Sequence, residues 1–120
     1  MATIQATLNI TSADATSEAL AISQTDAITV TNPIQNTSRD EIPSVSATVL
    51  VSAAKAVITY VYLKNTDVTN SIDMAEAATS AVFGTLGPDE WAFFPVAAGV
   101  GLEVTASAST VVLEYGFWTQ

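Results

Sequence analysis

Apolar and polar residues alternate in short runs along most of this chain. Ile4, Ala6, Leu8 and Ile10 fall on one side of an extended segment, with Thr3, Gln5, Thr7, Asn9 and Thr11 on the other. A period of two places one face on a core and the other in water. Ser12 to Ser17 is small and polar and reads as a loop. Glu18 to Ser23 admits two readings: Thr11 with Asp14 offers a helix start, while Leu20 and Ile22 alternate, and strand is the reading taken. Ala27 to Thr31 alternates again, with Ile28 and Val30 inward.

Asn32 to Pro43 lacks periodicity, opens on Asn-Pro and closes on a second proline, so it predicts a long connection. It carries the only arginine, Arg39, and the pair Asp40-Glu41. Solvated connection and partner-contacting loop are the two readings of a passage this long. Val45, Ala47, Val49 and Val51 predict the next inward row. Val57 to Lys64 is apolar on both faces, with Val57, Val61 and Leu63 on one and Ile58, Tyr60 and Tyr62 on the other. Such a strand is central or is covered from outside its own domain, and the tyrosine pair favours cover by a partner.

Asn65 to Asn70 is a turn by composition. Short strands follow at Ser71 to Met74 and at Val82 to Leu86. Gly87-Pro88-Asp89-Glu90 is the strongest turn signal in the chain. Trp91 to Val96 is an aromatic strand whose Pro95 places it at an edge, a bulge or its own end. Leu102 to Ala106 alternates, and Thr110 to Trp118 closes with Val111, Leu113, Tyr115 and Phe117 on one face. Short strands spaced by turn signals predict an all-β, antiparallel β-sandwich of jelly-roll type, as a single domain over residues 1–120.

Charge and composition narrow the function classes. Twelve acidic residues face three basic ones, Arg39, Lys55 and Lys64, for a net charge of -9. Binding to nucleic acid needs clustered cations that displace counterions from phosphates, and three scattered ones weigh against it. Neither cysteine nor histidine is present, which removes the disulfide framework, the commonest general base and the commonest metal ligand. The start, Met-Ala-Thr-Ile-Gln, lacks the basic and apolar regions of a secretory signal. The longest apolar passage, Ala92 to Leu102, is interrupted by Pro95, Gly99 and Gly101 and falls short of the ~20 residues that span a bilayer. The expectation is a soluble domain made in a cytoplasm, with no membrane partner.

Candidate chemistry is thin. Ser52-Ala-Ala-Lys55 matches S-x-x-K, but the companion motifs of that chemistry are missing. Asp40-Glu41 and Asp89-Glu90 are adjacent carboxylates in turn-like sequence, where neighbours point apart and do not flank a sugar. Asp67, Asp73 and Asp89 are candidate calcium ligands without an EF-hand loop. Gly99-Val-Gly101 lacks the rest of a phosphate-binding fingerprint. No catalytic, cofactor-binding or metal residue is therefore assigned, and an enzyme is not expected.

Aromatic residues are the remaining lead. Phe93 and Phe94 are neighbours on a strand and face opposite ways, as do Phe117 and Trp118. One core cannot bury both members of each pair. Tyr60, Tyr62, Trp91, Phe93, Phe94, Phe117 and Trp118, with Arg39, are the candidate interface residues.

A family likeness covers Val57 to Trp118. YVYLKNTDVTN, FGTLGPDEWAFFPV, GVGLEV and VVLEYGFW resemble small virion structural proteins of tailed bacteriophages, in which a Y-x-K-N-T strand and turn precede L-x-P-x-E-[WF]-x-F-F-P. Asp89 stands where that pattern suggests glycine. The resemblance implies a non-enzymatic capsid decoration or cement protein without cofactors. It would be a homotrimer that binds the major capsid protein on the outside of the particle. A module of the tail, collar or fibre is the first alternative, and a carbohydrate-binding sandwich the second.

Overall fold

Ten strands and no helix form among the described residues, which are 2–31 and 37–120 of a computed structural model. β1 (Ala2–Ser12) and β2 (Leu20–Val30) make an antiparallel hairpin of their own. Eight further strands follow: β3 (Ser38–Pro43), β4 (Thr48–Val51), β5 (Thr59–Asn65), β6 (Ile72–Ala75), β7 (Val82–Leu86), β8 (Trp91–Val96), β9 (Leu102–Ala106) and β10 (Thr110–Thr119). They build two four-stranded antiparallel sheets, ordered β3-β10-β5-β8 and β4-β9-β6-β7. The two sheets pack face to face as a β-sandwich, as the alternation predicted.

The core lies between those sheets. Ile42, Val61, Leu63, Val96, Val111 and Leu113 come from the first, and Val51, Ile72, Met74, Leu86, Leu102, Val104 and Ala106 from the second. Burial in β5 alternates residue by residue: Thr59, Val61, Leu63 and Asn65 are buried, while Tyr60, Tyr62 and Lys64 face outward. β5 is thus central, flanked by β10 and β8, and β8 with its Pro95 is an edge strand as expected.

Thr59 is fully buried, and among the described residues its Oγ1 has no hydrogen-bond partner. A hydroxyl without a partner forfeits its hydration and gains nothing in return. Thr59→Val keeps the β-branched shape and removes that oxygen, so it is expected to stabilise the fold by about 1 kcal/mol. A rise in the urea midpoint at unchanged slope would register the gain.

Four expectations are corrected. Ser38–Pro43 is strand β3 at the edge of the first sheet, paired along β10, so Arg39, Asp40 and Glu41 are not in a loop. The alternation was masked because Arg39, Asp40 and Glu41 run consecutively and only Ile42 reaches the core; charges on an edge strand discourage further pairing. Asn32–Asn36, the rest of that passage, lies outside the described residues. The inward row from Val45 to Val51 fails at Val45, Ala47 and Val49, which are exposed, because β4 starts at Thr48 and its register shifts between Val49 and Val51. Leu20 to Val30 is one continuous strand and not two. Finally, the apolar row of β1 does not sit on the core: Ile4 and Ala6 are half-buried, while Leu8 and Ile10 are exposed. Neither sheet of the sandwich stacks on the hairpin, whose extensive packing is between its own two strands.

Candidate functional site

Side chains on the outer face of the first sheet follow from strand period and register. Tyr60, Tyr62 and Lys64 project outward from β5. Directly across on β10 stand Trp118, Gly116 and Glu114, and across on β8 stand Pro95, Phe93 and Trp91. Arg39 of β3 faces Glu114 from the far side. Directly opposed residues share a face, so the surface carries rows Trp118–Tyr60–Pro95, Gly116–Tyr62–Phe93 and Arg39–Glu114–Lys64–Trp91.

Packing within the face is specific. Tyr60 and Phe93 stack diagonally, with ring centroids 6.2 Å apart and planes 16° from parallel. Gly116 leaves room for the Trp118 indole, since a Cβ there would approach Trp118 Cη2 to 3.0 Å. The missing side chain is what lets a large ring lie along the strand. Trp91 remains 54% exposed at the far end.

A polar network closes that end. Arg39 donates from Nε and Nη2 to Glu114 Oε2 at 3.1 and 2.9 Å, and the Tyr62 hydroxyl donates to Glu114 Oε1 at 3.1 Å. Hydrogen bonding from Arg39, then from Tyr62, holds the Glu114 carboxyl below the usual carboxylate range. Burial, then the bond to Glu114, pushes the Tyr62 phenol above its ordinary value. A depressed carboxyl favours the fold above its unfolded pKa, about 4.3 for glutamate, and that contribution disappears as pH falls through the lower folded value. The raised phenol works oppositely: its contribution holds below about pH 10 and is lost above it. The stability difference between wild type and Glu114→Gln is therefore expected to be flat near neutrality and to shrink below about pH 4. Urea midpoints of the two proteins across an acid series would report it.

The hairpin supplies the opposite wall. One face of its ribbon carries the register pairs Ile4–Ile28, Ala6–Asp26, Leu8–Gln24 and Ile10–Ile22. Its root is tied to the sandwich by the Thr31 amide, which donates to the Thr119 carbonyl at 3.1 Å. The first three pairs and the aromatic face enclose an open cleft of about 840 Å³. Leu8, Ile10 and Ile22 remain about two-fifths exposed.

Of the residues expected at an interface, Tyr60, Tyr62, Trp91, Phe93 and Trp118 line this cleft, and Arg39 joins them through Glu114. Phe94 and Phe117 are not brought to it. They lie on the inner face, half-buried against the core, where Phe94 meets Phe83 edge-on at 5.8 Å and Phe117 stacks on Tyr115 at 6.4 Å. Glu114, Pro95 and Ile28 belong to the site and were missed. Glu114 reaches Arg39 across 75 residues and Tyr62 across 52, a separation that leaves no local signal.

The other candidates are spent on local structure. Ser52 Oγ accepts from the Ala54 amide, and the Lys55 amide closes a turn on the Ser52 carbonyl. Asp40 accepts from the Tyr115 hydroxyl, and Glu90 from the Gly87 amide inside its own turn. Asp67 accepts from the Thr69 and Asn70 amides, and Asp73 from Thr85. No group of three acidic side chains suited to a metal forms among the described residues. Asp89 has φ +60°, the left-handed conformation for which glycine is the usual occupant and which aspartate tolerates. Among the described residues no helix is long and apolar enough to cross a membrane.

No family model, no curated protein and no solved structure matches the chain.

Proposed function

We propose that this protein is a non-enzymatic structural component of a phage particle, a capsid decoration or cement protein that self-associates as a homotrimer and binds the major capsid protein. The observation that carries the reading is the cleft. A contiguous aromatic face lies outside the core, beside a projecting hairpin whose apolar row is open towards its tip. Aromatic anchors with a polar rim are the composition of a protein interface. The strand order supports it as well. Eight strands in orders β3-β10-β5-β8 and β4-β9-β6-β7 support the jelly-roll reading, a scaffold used in viral shells and in lectins. A fold of itself specifies no function, so the weight rests on the face.

Purified protein is expected to sediment as an oligomer at micromolar concentration, and a clean monomer would count against self-association. Copy number per particle then decides location. Hundreds of copies mean the shell, a handful mean the tail or collar, and none removes the virion reading.

The same cleft favours a second reading, carbohydrate binding. Trp91, Trp118 and Tyr60 offer ring faces, with Asp26 as an acceptor for hydroxyls. A glycan panel that leaves tryptophan emission unmoved would remove it.

A further inference from the structure

Hairpins of two strands are marginal in water unless something packs on their apolar face. Here the ribbon's strands are eleven residues each, roughly 35 Å long. Its polar face, with Thr7 and Thr25 joined through their hydroxyls at 3.1 Å, suits water. Its apolar face is covered only near the root, where Ile28 and Val30 are buried. Towards the tip Leu8, Ile10 and Ile22 stand open. We propose that the hairpin is an exchange arm, and that the outer half of its apolar row seats in the aromatic cleft of a second copy of this chain. The inference rests on the self-association reading and specifies how that association is made.

Charge selects the occupant. The described hairpin carries Asp14, Glu18 and Asp26 and no cation. Two of the three cations in the chain, Arg39 and Lys64, flank Glu114 in the far row of the aromatic face; Arg39 is ion-paired with Glu114, and the row keeps a net positive charge. An arm with an acidic tip and an apolar flank therefore matches a face with rings at its centre and cations at one end. Elsewhere a net charge of -9 makes copies repel, so this local pairing also fixes the orientation.

Size selects the geometry. A ribbon about 35 Å long and about 10 Å wide presents roughly 350 Å² on one face, of which the outer half, about 175 Å², is open to a neighbour. Stable interfaces bury about 800 Å² per partner. One arm in one cleft falls short, whereas a ring in which every copy gives an arm and receives one roughly doubles the contact. Such head-to-tail contacts close into rings.

The chain has no cysteine, which allows a clean test. Ile10→Cys protein is mixed with Trp91→Cys protein and mildly oxidised, so that an Ile10–Trp91 disulfide forms only between copies. That heterodisulfide is expected. In parallel, the double variant Ile10→Asp with Ile22→Asp, at two exposed positions, is expected to associate at least ~100-fold more weakly while keeping the far-ultraviolet spectrum of the wild type. If the wild type is an oligomer and the mixed cysteine variants give no heterodisulfide, the arm is overturned and self-association stands. So does a folded double variant that stays oligomeric. A monomeric wild type removes both. Tryptophan emission of the monomeric double variant that shifts with a glycan assigns the cleft to sugar and overturns the arm. Should the double variant fail to fold, the disulfide decides alone.

Discussion

Gly101→Ala is expected to lower the unfolding free energy by roughly 4 kcal/mol or more, a large share of a domain's net stability. Gly99→Ala, two residues away, is expected to cost only about 1 kcal/mol. Both glycines have positive φ, +80° at Gly99 and +71° at Gly101. Their surroundings differ. A Cβ on Gly99 would meet nothing within 4 Å, so the only cost is that of a left-handed alanine. A Cβ on Gly101 would lie 2.6 Å from the Val51 carbonyl oxygen and 2.7 Å from the Ala53 amide nitrogen. Those are backbone atoms at the junction of β4 with β9, and they cannot rotate away as a flexible side chain would. The comparison isolates steric contact from backbone conformation, because the second is common to both sites. Thermal unfolding of the two variants, followed by circular dichroism, checks it, and equal melting temperatures would refute the close approach.

Asn65→Asp is expected to be the other severe change, and its cost should depend on pH. Asn65 is fully buried. Its amide Nδ2 donates to the carbonyls of Asn70, Leu86 and Gly87 at 2.8, 3.2 and 3.0 Å, and its Oδ1 accepts from the Asp67 amide at 2.9 Å. One side chain thus clamps the turn after β5 to the turn before β8, which sets Trp91 at the end of the cleft. Alanine would leave several buried groups without partners, costing about 3 kcal/mol. Aspartate is nearly isosteric but, when ionised, aims an acceptor at three carbonyl oxygens. Burial and those carbonyls raise its folded-state pKa. The stability of the variant is then retained below the unfolded value, about 3.9, and lost as pH rises through the folded one. The deficit relative to wild type should therefore widen from pH 4 to pH 7.5. A deficit independent of pH would mean that packing and not donor geometry makes this residue matter.

Neither residue touches the cleft, but Asn65 bears on it. The aromatic face is held by register, and register is held at the corners. Gly101 fixes how the end of β4 lies against the start of β9 in the second sheet, and Asn65 fixes where β8 begins. An arm from a neighbouring copy would find rings already in place, with little side-chain freedom left to lose, which favours tight association.

Much of the sandwich was legible along the chain. Period two in β5 and β10 predicted which residues share a face, because one face must be dry and the other wet. The opposed pairs Phe93 with Phe94 and Phe117 with Trp118 likewise announced rings on both sides of one sheet. The sequence was silent on four matters, each for a physical reason. β3 hid behind three consecutive charges. The bulge in β4 broke the period that would have revealed its true inward residues. The hairpin showed a correct apolar row without showing that the row has no core to meet. The network of Glu114 with Arg39 and Tyr62 joins residues that only sheet register makes neighbours. Local alternation is decided by solvent at each strand, so sequence alone determined it. Which strands lie side by side, and which apolar faces remain open, is decided by all the pairings together, and only the tertiary structure supplied it.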